Sequence, residues 1–62
     1  MSQEDVLKIL KELGGEATTG EVSKKALRKY PNRTLYKYVS TRLKQLQLWN
    51  IVGRKGAKWF IK

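Results

Sequence analysis

The sequence predicts a small α+β domain in which a bundle of three helices is followed by a C-terminal two-stranded β-hairpin, with a short third strand near Ala17. Three successive segments carry apolar residues at helical spacing, and capping residues or glycines stand at their ends. Residues 51–62 form two β-rich runs around a glycine, which is typical of a hairpin. Because 62 residues have room for one core, we expect a single domain over residues 1–62.

The first helix is predicted from an apolar stripe that ends in two glycines. The stripe consists of Val6, Leu7, Ile9, Leu10 and Leu13. Ser2 is placed to cap the helix, with Asp5 three residues later in the capping-box position. Gly14 and Gly15 readily adopt the positive φ of a helix C-cap, so we expect the helix to end there.

A short extended piece and a second helix follow. Residues 16–18 are predicted as the third strand, and Thr18 then caps a helix in which Glu21 completes the capping box. The predicted inward face of this helix is Val22, Ala26 and Leu27. Pro31 disfavours helical geometry in the residue before it, so we expect the helix to end near Lys29.

The third helix is predicted to begin near Asn32 or Thr34 and to run to about Leu48. At 100° per residue, four apolar residues fall within about 80° and form its core face: Leu35, Val39, Leu43 and Leu46. The opposite face is basic or hydroxyl-bearing throughout: Arg33, Thr34, Lys37, Ser40, Thr41 and Lys44. Tyr36 is expected at the edge of this polar face, whereas Tyr38 is expected to pack at the edge of the core face.

The hairpin follows a helix exit at Asn50, where asparagine tolerates a positive φ. Strands are predicted over residues 51–54 and 57–62, joined by a turn at residues 55–56. One face of the second strand is expected to pack on the helices: Ala57, Trp59 and Ile61. Basic residues surround the turn: Arg54, Lys55 and Lys58.

The charge is divided along the chain. Residues 1–21 hold all five acids and two lysines, for a net charge of −3, whereas residues 22–62 hold twelve bases and no acid, for +12. The sum is the +9 of the whole chain. Soluble surfaces normally mix both signs, so a block of one sign indicates a polyanionic partner, above all a nucleic acid. The first helix carries most of the acids, so we expect it to face away from that partner.

The chain lacks the groups that most catalytic and metal sites need. It has no histidine and no cysteine, so the sequence offers neither an activated nucleophile nor a zinc site. No glycine-rich phosphate loop is present. We therefore expect no enzyme, metal, cofactor or small-molecule ligand. The lack of cysteine, of a signal-peptide pattern and of a long apolar segment predicts a cytoplasmic, nucleoid-associated protein.

The third helix and the hairpin are the predicted binding elements. A helix fits the major groove of duplex DNA, where hydroxyls and guanidinium groups bond to base edges and lysines to phosphates. The predicted contact residues are Arg33, Thr34, Tyr36, Lys37, Ser40, Thr41 and Lys44, with Arg54, Lys55 and Lys58 on the hairpin. Secondary contacts to the DNA backbone are predicted on the second helix: Lys24, Lys25 and Arg28.

Residues 39–46, Val-Ser-Thr-Arg-Leu-Lys-Gln-Leu, and residues 48–52, Leu-Trp-Asn-Ile-Val, resemble the recognition helix and helix exit of winged helix-turn-helix regulators. The similarity extends from Val6 to Ile61, and the size and lysine content are similar to those of small archaeal and archaeal-virus DNA-binding proteins. The usual glycine of the exit is replaced here by Trp49–Asn50. The resemblance implies a transcriptional regulator or an architectural chromatin protein whose hairpin is a wing.

A second resemblance concerns residues 32–36, Asn-Arg-Thr-Leu-Tyr, which are similar to the recognition segment of Z-DNA-binding winged-helix domains. Trp59 is similar to their wing tryptophan. When the chains are aligned on the helix exit, however, Ser40 and Lys44 take that family's key positions, and its proline-rich wing is missing. The register therefore argues against this assignment.

Two other function classes stay open, together with the oligomeric state. Charge alone does not separate DNA from RNA, so an RNA- or ribosome-binding winged helix is one alternative. A protein-interaction module for an acidic partner is the other. A homodimer is a further alternative, and it would use the first helix or Trp49 because the chain has no additional helix for dimerisation.

Overall fold

The computed structural model describes residues 3–62, which form three helices and a three-stranded antiparallel sheet of strand order β1-β3-β2. The elements are α1 (Gln3–Glu12), β1 (Glu16–Thr18), α2 (Thr19–Lys29), α3 (Leu35–Leu48), β2 (Val52–Lys55) and β3 (Lys58–Ile61). This confirms the α+β class and the third strand, and the arrangement is compatible with a winged helix. The predicted cap at Ser2 lies outside the described residues. Within residues 3–62, none of the helices is both long and apolar enough to cross a membrane.

Helix α1 ends at the two predicted glycines, which have φ angles of 94° and 91°. The Gly15 N–H donates to the Leu10 carbonyl and the Gly14 N–H to the Lys11 carbonyl, both at 3.0 Å. This is the hydrogen-bond pattern of a Schellman cap, which satisfies carbonyls that the helix end leaves open. The Gly15 carbonyl then accepts from the Ile61 N–H at 3.0 Å, so the last residue of the cap is hydrogen-bonded to β3 of the sheet.

Helix α2 begins with the predicted capping box. The Thr18 hydroxyl accepts from the Glu21 N–H at 3.1 Å, and the Glu21 carboxylate accepts from the Thr18 N–H at 2.8 Å. Thr18 is both the last residue of β1 and the N-cap of α2, so strand and helix join without a linker. The helix ends at Lys29, as Pro31 predicted.

Helix α3 begins at Leu35, so of the two predicted starts the one near Thr34 is confirmed and the one near Asn32 was wrong. Residues 31–34 form a turn in which the Arg33 N–H donates to the Tyr30 carbonyl at 3.1 Å. Thr34 occupies the N-cap position, but its side chain makes no capping bond. The helix ends at Leu48, and Asn50, two residues later, has the expected positive φ, at 62°.

The core is formed by one face of each helix and the inner face of the sheet. Its buried residues are Val6, Ile9, Leu10, Ala17, Val22, Ala26, Leu35, Val39, Leu43, Leu46, Val52 and Trp59. All four residues of the predicted core face of α3 are among them. Leu27 was wrongly assigned to the core, because its side chain is 45% exposed. It lies about 140° around the helix from Val22, at 100° per residue, and so on a flank of α2.

The two tyrosines at the start of α3 have the reverse of their predicted environments. Tyr36 is half-buried and packs against the core, whereas Tyr38 is 52% exposed. The centre of the core stripe explains this, since Tyr36 lies about 65° from it and Tyr38 about 100° on the other side. Leu35 itself stands at one edge of the stripe, so angles taken from it place Tyr38 too close to the core and Tyr36 too far from it.

The hairpin closes one residue later than predicted, with its turn at Gly56–Ala57 and Lys55 paired to Lys58. Gly56 has a φ of 60° and stands at the first central position, where a type II′ turn favours glycine. Ala57 therefore lies exposed in the turn and not on the packed face of β3. Trp59 and Ile61 face the helices as expected.

An ion pair joins α1 to α2. The Glu12 carboxylate accepts a hydrogen bond from Lys29 Nζ at 2.6 Å, and Lys25 Nζ lies 3.9 Å away. The bond from Lys29 lowers the pKa of Glu12 below its usual value near 4.5, with a further contribution from Lys25. The same bond raises the pKa of Lys29. In the capping box, the backbone N–H of Thr18 likewise lowers the pKa of Glu21.

Gly53→Ala is expected to destabilise the fold by about 1–3 kcal/mol, as overpacking of a tight site does. A Cβ at residue 53 would lie 2.5 Å from the Phe60 ring, its cross-strand partner. Urea unfolding of the variant measures the loss. Gly20→Ala is the control, because a Cβ there meets only Thr18 Oγ1 at 3.9 Å, and we expect a gain of about 0.4–1 kcal/mol. Equal stability of Gly53→Ala and the parent chain would contradict the close Phe60 contact.

Acid is expected to weaken the fold through Glu12 and Glu21. Both carboxyls have a lowered pKa in the folded chain, so their stabilising contribution is present above about pH 4.5 and is lost as the pH falls through the folded values. The urea midpoint at low salt should therefore drop between about pH 5 and pH 3. Glu12→Gln/Glu21→Gln should flatten this drop and Glu4→Gln should not, and an unchanged drop in the double variant would rule out these two contacts as its source.

Candidate nucleic-acid interface

The outward face of α3 carries four exposed polar residues on one stripe: Lys37, Ser40, Thr41 and Lys44. At 100° per residue they cluster within about 100° of one another and opposite the buried stripe. The two lysines are about 10 Å apart along the axis at 1.5 Å per residue. No acidic residue occurs anywhere between residues 22 and 62, so the stripe has no acid of its own element to neutralise it. It offers hydroxyls in the middle and a cation at each end.

Arg33 and Thr34 lie in the turn before α3 and not on its helical face, because the helix begins at Leu35. Both are exposed. The Arg33 guanidinium lies 5.3 Å from the centroid of the Tyr30 ring, within the range of a cation–π contact. Arg33 is therefore held against the end of α2 and next to the N-terminal end of α3. In helix-turn-helix proteins that end of the recognition helix contacts base edges.

Tyr36 is a predicted contact residue that is half-buried in the fold, since it packs against the core. Lys37 Nζ lies 6.0 Å from the centroid of that ring. We assign Tyr36 a packing role beside Lys37 and not a place on the outward stripe.

The three bases predicted as secondary contacts on α2 do not point the same way. Lys24 and Arg28 are exposed, whereas Lys25 is half-buried and is directed toward Glu12 of α1. Lys25 therefore faces α1, whereas Lys24 and Arg28 face solvent.

Arg54 is held on the inner face of the hairpin by Trp59. The two residues are cross-strand partners, and the guanidinium stacks 4.8 Å from the centroid of the indole ring. Arg54 Nε also donates to the Gly56 carbonyl at 3.2 Å. The indole is fixed in turn, because Trp59 Nε1 donates to the Thr19 hydroxyl at 2.9 Å and the side chain is 1% exposed. The guanidinium of Arg54 thus stacks on a buried indole that is hydrogen-bonded to the start of α2.

Lys55 and Lys58 lie on the other face of the hairpin, directly opposite each other across the two strands. Both are exposed. Like charges in this position are destabilising. Lys58 is also close enough to Glu21 to lower the pKa of that carboxyl slightly, after the larger effect of the capping bonds. An anion between the two lysines would relieve their repulsion, so the pair is suited to a phosphate.

Two large apolar side chains were not predicted as part of this surface. Leu48 is 83% exposed and lies on the same helical stripe as Lys37 and Lys44 at 100° per residue. Trp49 follows it at the helix end and is 64% exposed. The exposure of Leu48 could have been predicted from its position on the helical wheel. The exposure of Trp49 could not, because it depends on the direction in which the chain leaves the helix.

Comparison of the chain with protein-family models, with curated proteins and with solved structures gave no match. Within residues 3–62, no group of acidic side chains is arranged to hold a metal ion.

Proposed function

We propose that this chain is a nucleic-acid-binding protein of the winged helix-turn-helix type, and that its ligand is duplex DNA. The observation that carries the proposal is the outward stripe of α3, Lys37, Ser40, Thr41 and Lys44, in a segment of +12 charge that contains no acid. A helical face of this composition has no role in packing. It matches the phosphates and base edges of a DNA groove.

Helix α3 is the element that enters the major groove. An α-helix with its side chains is about 10–12 Å across and the groove is about 12 Å wide, so the helix fits with its outward stripe against the DNA. Lys37 and Lys44 reach the phosphates on either side, while Ser40 and Thr41 bond to bases or phosphates. Arg33, beside the N-terminal end of the helix, is positioned for a bidentate bond to guanine.

The hairpin acts as the wing and holds the flanking backbone. Lys55 and Lys58 bind a phosphate between them, and Arg54 presents its guanidinium from the Trp59 ring. Most of these contacts go to the backbone, which positions a protein without reading sequence. The chain works as a transcriptional regulator or as an architectural DNA-binding protein, without enzymatic activity. DNA length and half-site requirements distinguish these two roles.

Lys37→Gln/Lys44→Gln is expected to weaken binding to a random duplex by at least about 10-fold at 50 mM salt, because two phosphate contacts are lost. Fluorescence anisotropy with a labelled duplex measures the change. Lys8→Gln/Lys11→Gln on α1 removes the same charge from the acidic helix and is the matched control, with an expected change below about 2-fold. Equal losses in the two variants would show that net charge and not the α3 stripe determines binding.

Binding is expected to depend steeply on salt. With about six phosphates neutralised, affinity should fall roughly 10³-fold between 50 and 200 mM salt, and the Lys37→Gln/Lys44→Gln variant should lose about two units of the log–log slope. Competition with structured RNA at fixed salt tests the choice of nucleic acid. Tighter binding of RNA would replace DNA as the ligand, and no binding to either at 50 mM salt would overturn the proposal in favour of an acidic protein partner.

A further inference from the structure

A shallow cavity of about 280 Å³, open to solvent, lies between the C-terminal end of α1 and the outer side of α2. It is lined by Leu13, Glu21, Lys24, Lys25 and Arg28. The three bases come from adjacent turns of one helix. The cavity is too small for a drug-sized ligand but has room for a compact anion such as a chain of two or three phosphates.

The charged groups that line this cavity differ in whether they have hydrogen-bond or ion-pair partners. Glu21 is turned toward the backbone, since its carboxylate accepts the Thr18 N–H at 2.8 Å. Lys25 is shared with Glu12 at 3.9 Å. Within residues 3–62, Lys24 and Arg28 have no acid within ion-pair distance. Three bases and the ionised Glu21 carboxylate therefore border a single concave surface, and their net charge of +2 (three minus one) favours an anion with several oxygens.

The cavity is separate from the α3 stripe. Lys25 and Lys29 contact Glu12 and so mark the flank of α2 that faces α1. Leu13, at the end of α1, lines the same side, and no α3 residue lines the cavity. The cavity and the α3 stripe therefore share no residue.

We infer that this cavity is a second anion site, which binds the phosphates of a polyphosphate chain through Lys24, Lys25 and Arg28 independently of α3. The phosphates come either from a free polyphosphate ligand, such as a nucleoside triphosphate, or from the backbone of a second nucleic-acid segment. In the second case one chain holds two segments on two faces. The inference stands on the cavity and its bases, and it does not require that α3 bind DNA.

The test is an NMR titration of the whole chain with inorganic tripolyphosphate, read at the backbone amides. Saturable shifts are expected at residues 13 and 24–28 in the parent chain. Lys24→Gln/Arg28→Gln should weaken this binding by about 10-fold or more, which is about 1.4 kcal/mol per tenfold. Lys37→Gln/Lys44→Gln changes the formal charge equally and should retain it. Folding of each variant is checked by its urea midpoint.

Two further arms identify the source of the phosphates. Adenosine triphosphate that binds as tightly as tripolyphosphate, with no capture of a second duplex by a protein-loaded immobilised duplex, indicates a free ligand. Capture of the second duplex that Lys24→Gln/Arg28→Gln weakens by a larger factor than it weakens single-duplex binding indicates a second segment. The inference is overturned if tripolyphosphate shifts the backbone amides near all lysines equally. It is also overturned if the two double variants weaken tripolyphosphate binding by the same factor. Failure of DNA binding would leave the tripolyphosphate result standing.

Discussion

The burial of Trp59 is the constraint on which the rest of the structure depends. It lies on the central strand β3, paired to Ala17 on one side and Arg54 on the other. Its indole N–H bonds to Thr19 at the start of α2, so one side chain fixes the sheet and the helix pair together. In a chain of 62 residues without cysteine, this role falls to an aromatic residue because no disulfide is available.

Opposite charges lie on different elements of the fold: all acids are within residues 4–21, and residues 22–62 carry only bases. Glu12 of α1 compensates two bases of α2, which is where the basic segment approaches the acidic one. Among the described residues, the bases of α3 and the hairpin have no acid within ion-pair distance, although Lys58 lies near enough to Glu21 to lower its pKa slightly. Their mutual repulsion opposes the folded state. The proposed binding of a polyanion would relieve this repulsion.

Signals from one or two residues predicted most helix and strand ends, whereas contacts between residues distant in sequence were not predicted. The glycines after α1, the capping box at Thr18 and the positive φ of Asn50 depend on one or two residues, so the sequence contains them directly. The start of α3 depended on the turn with Tyr30. The outward lysines of α3 were predicted, but the pairing of Lys25 with Glu12 and the stacking of Arg54 on Trp59 join residues distant in sequence or in neighbouring strands, which periodicity does not specify.

The two tryptophans occupy opposite environments, and this gives the molecule a pair of intrinsic optical probes. Trp59 is enclosed by the sheet and α2, whereas Trp49 projects into solvent where α3 ends. Emission from the enclosed indole reports the integrity of the domain, and quenching of the projecting one reports what approaches the end of α3. A single native chain can therefore distinguish loss of structure from occupation of its surface without an added label.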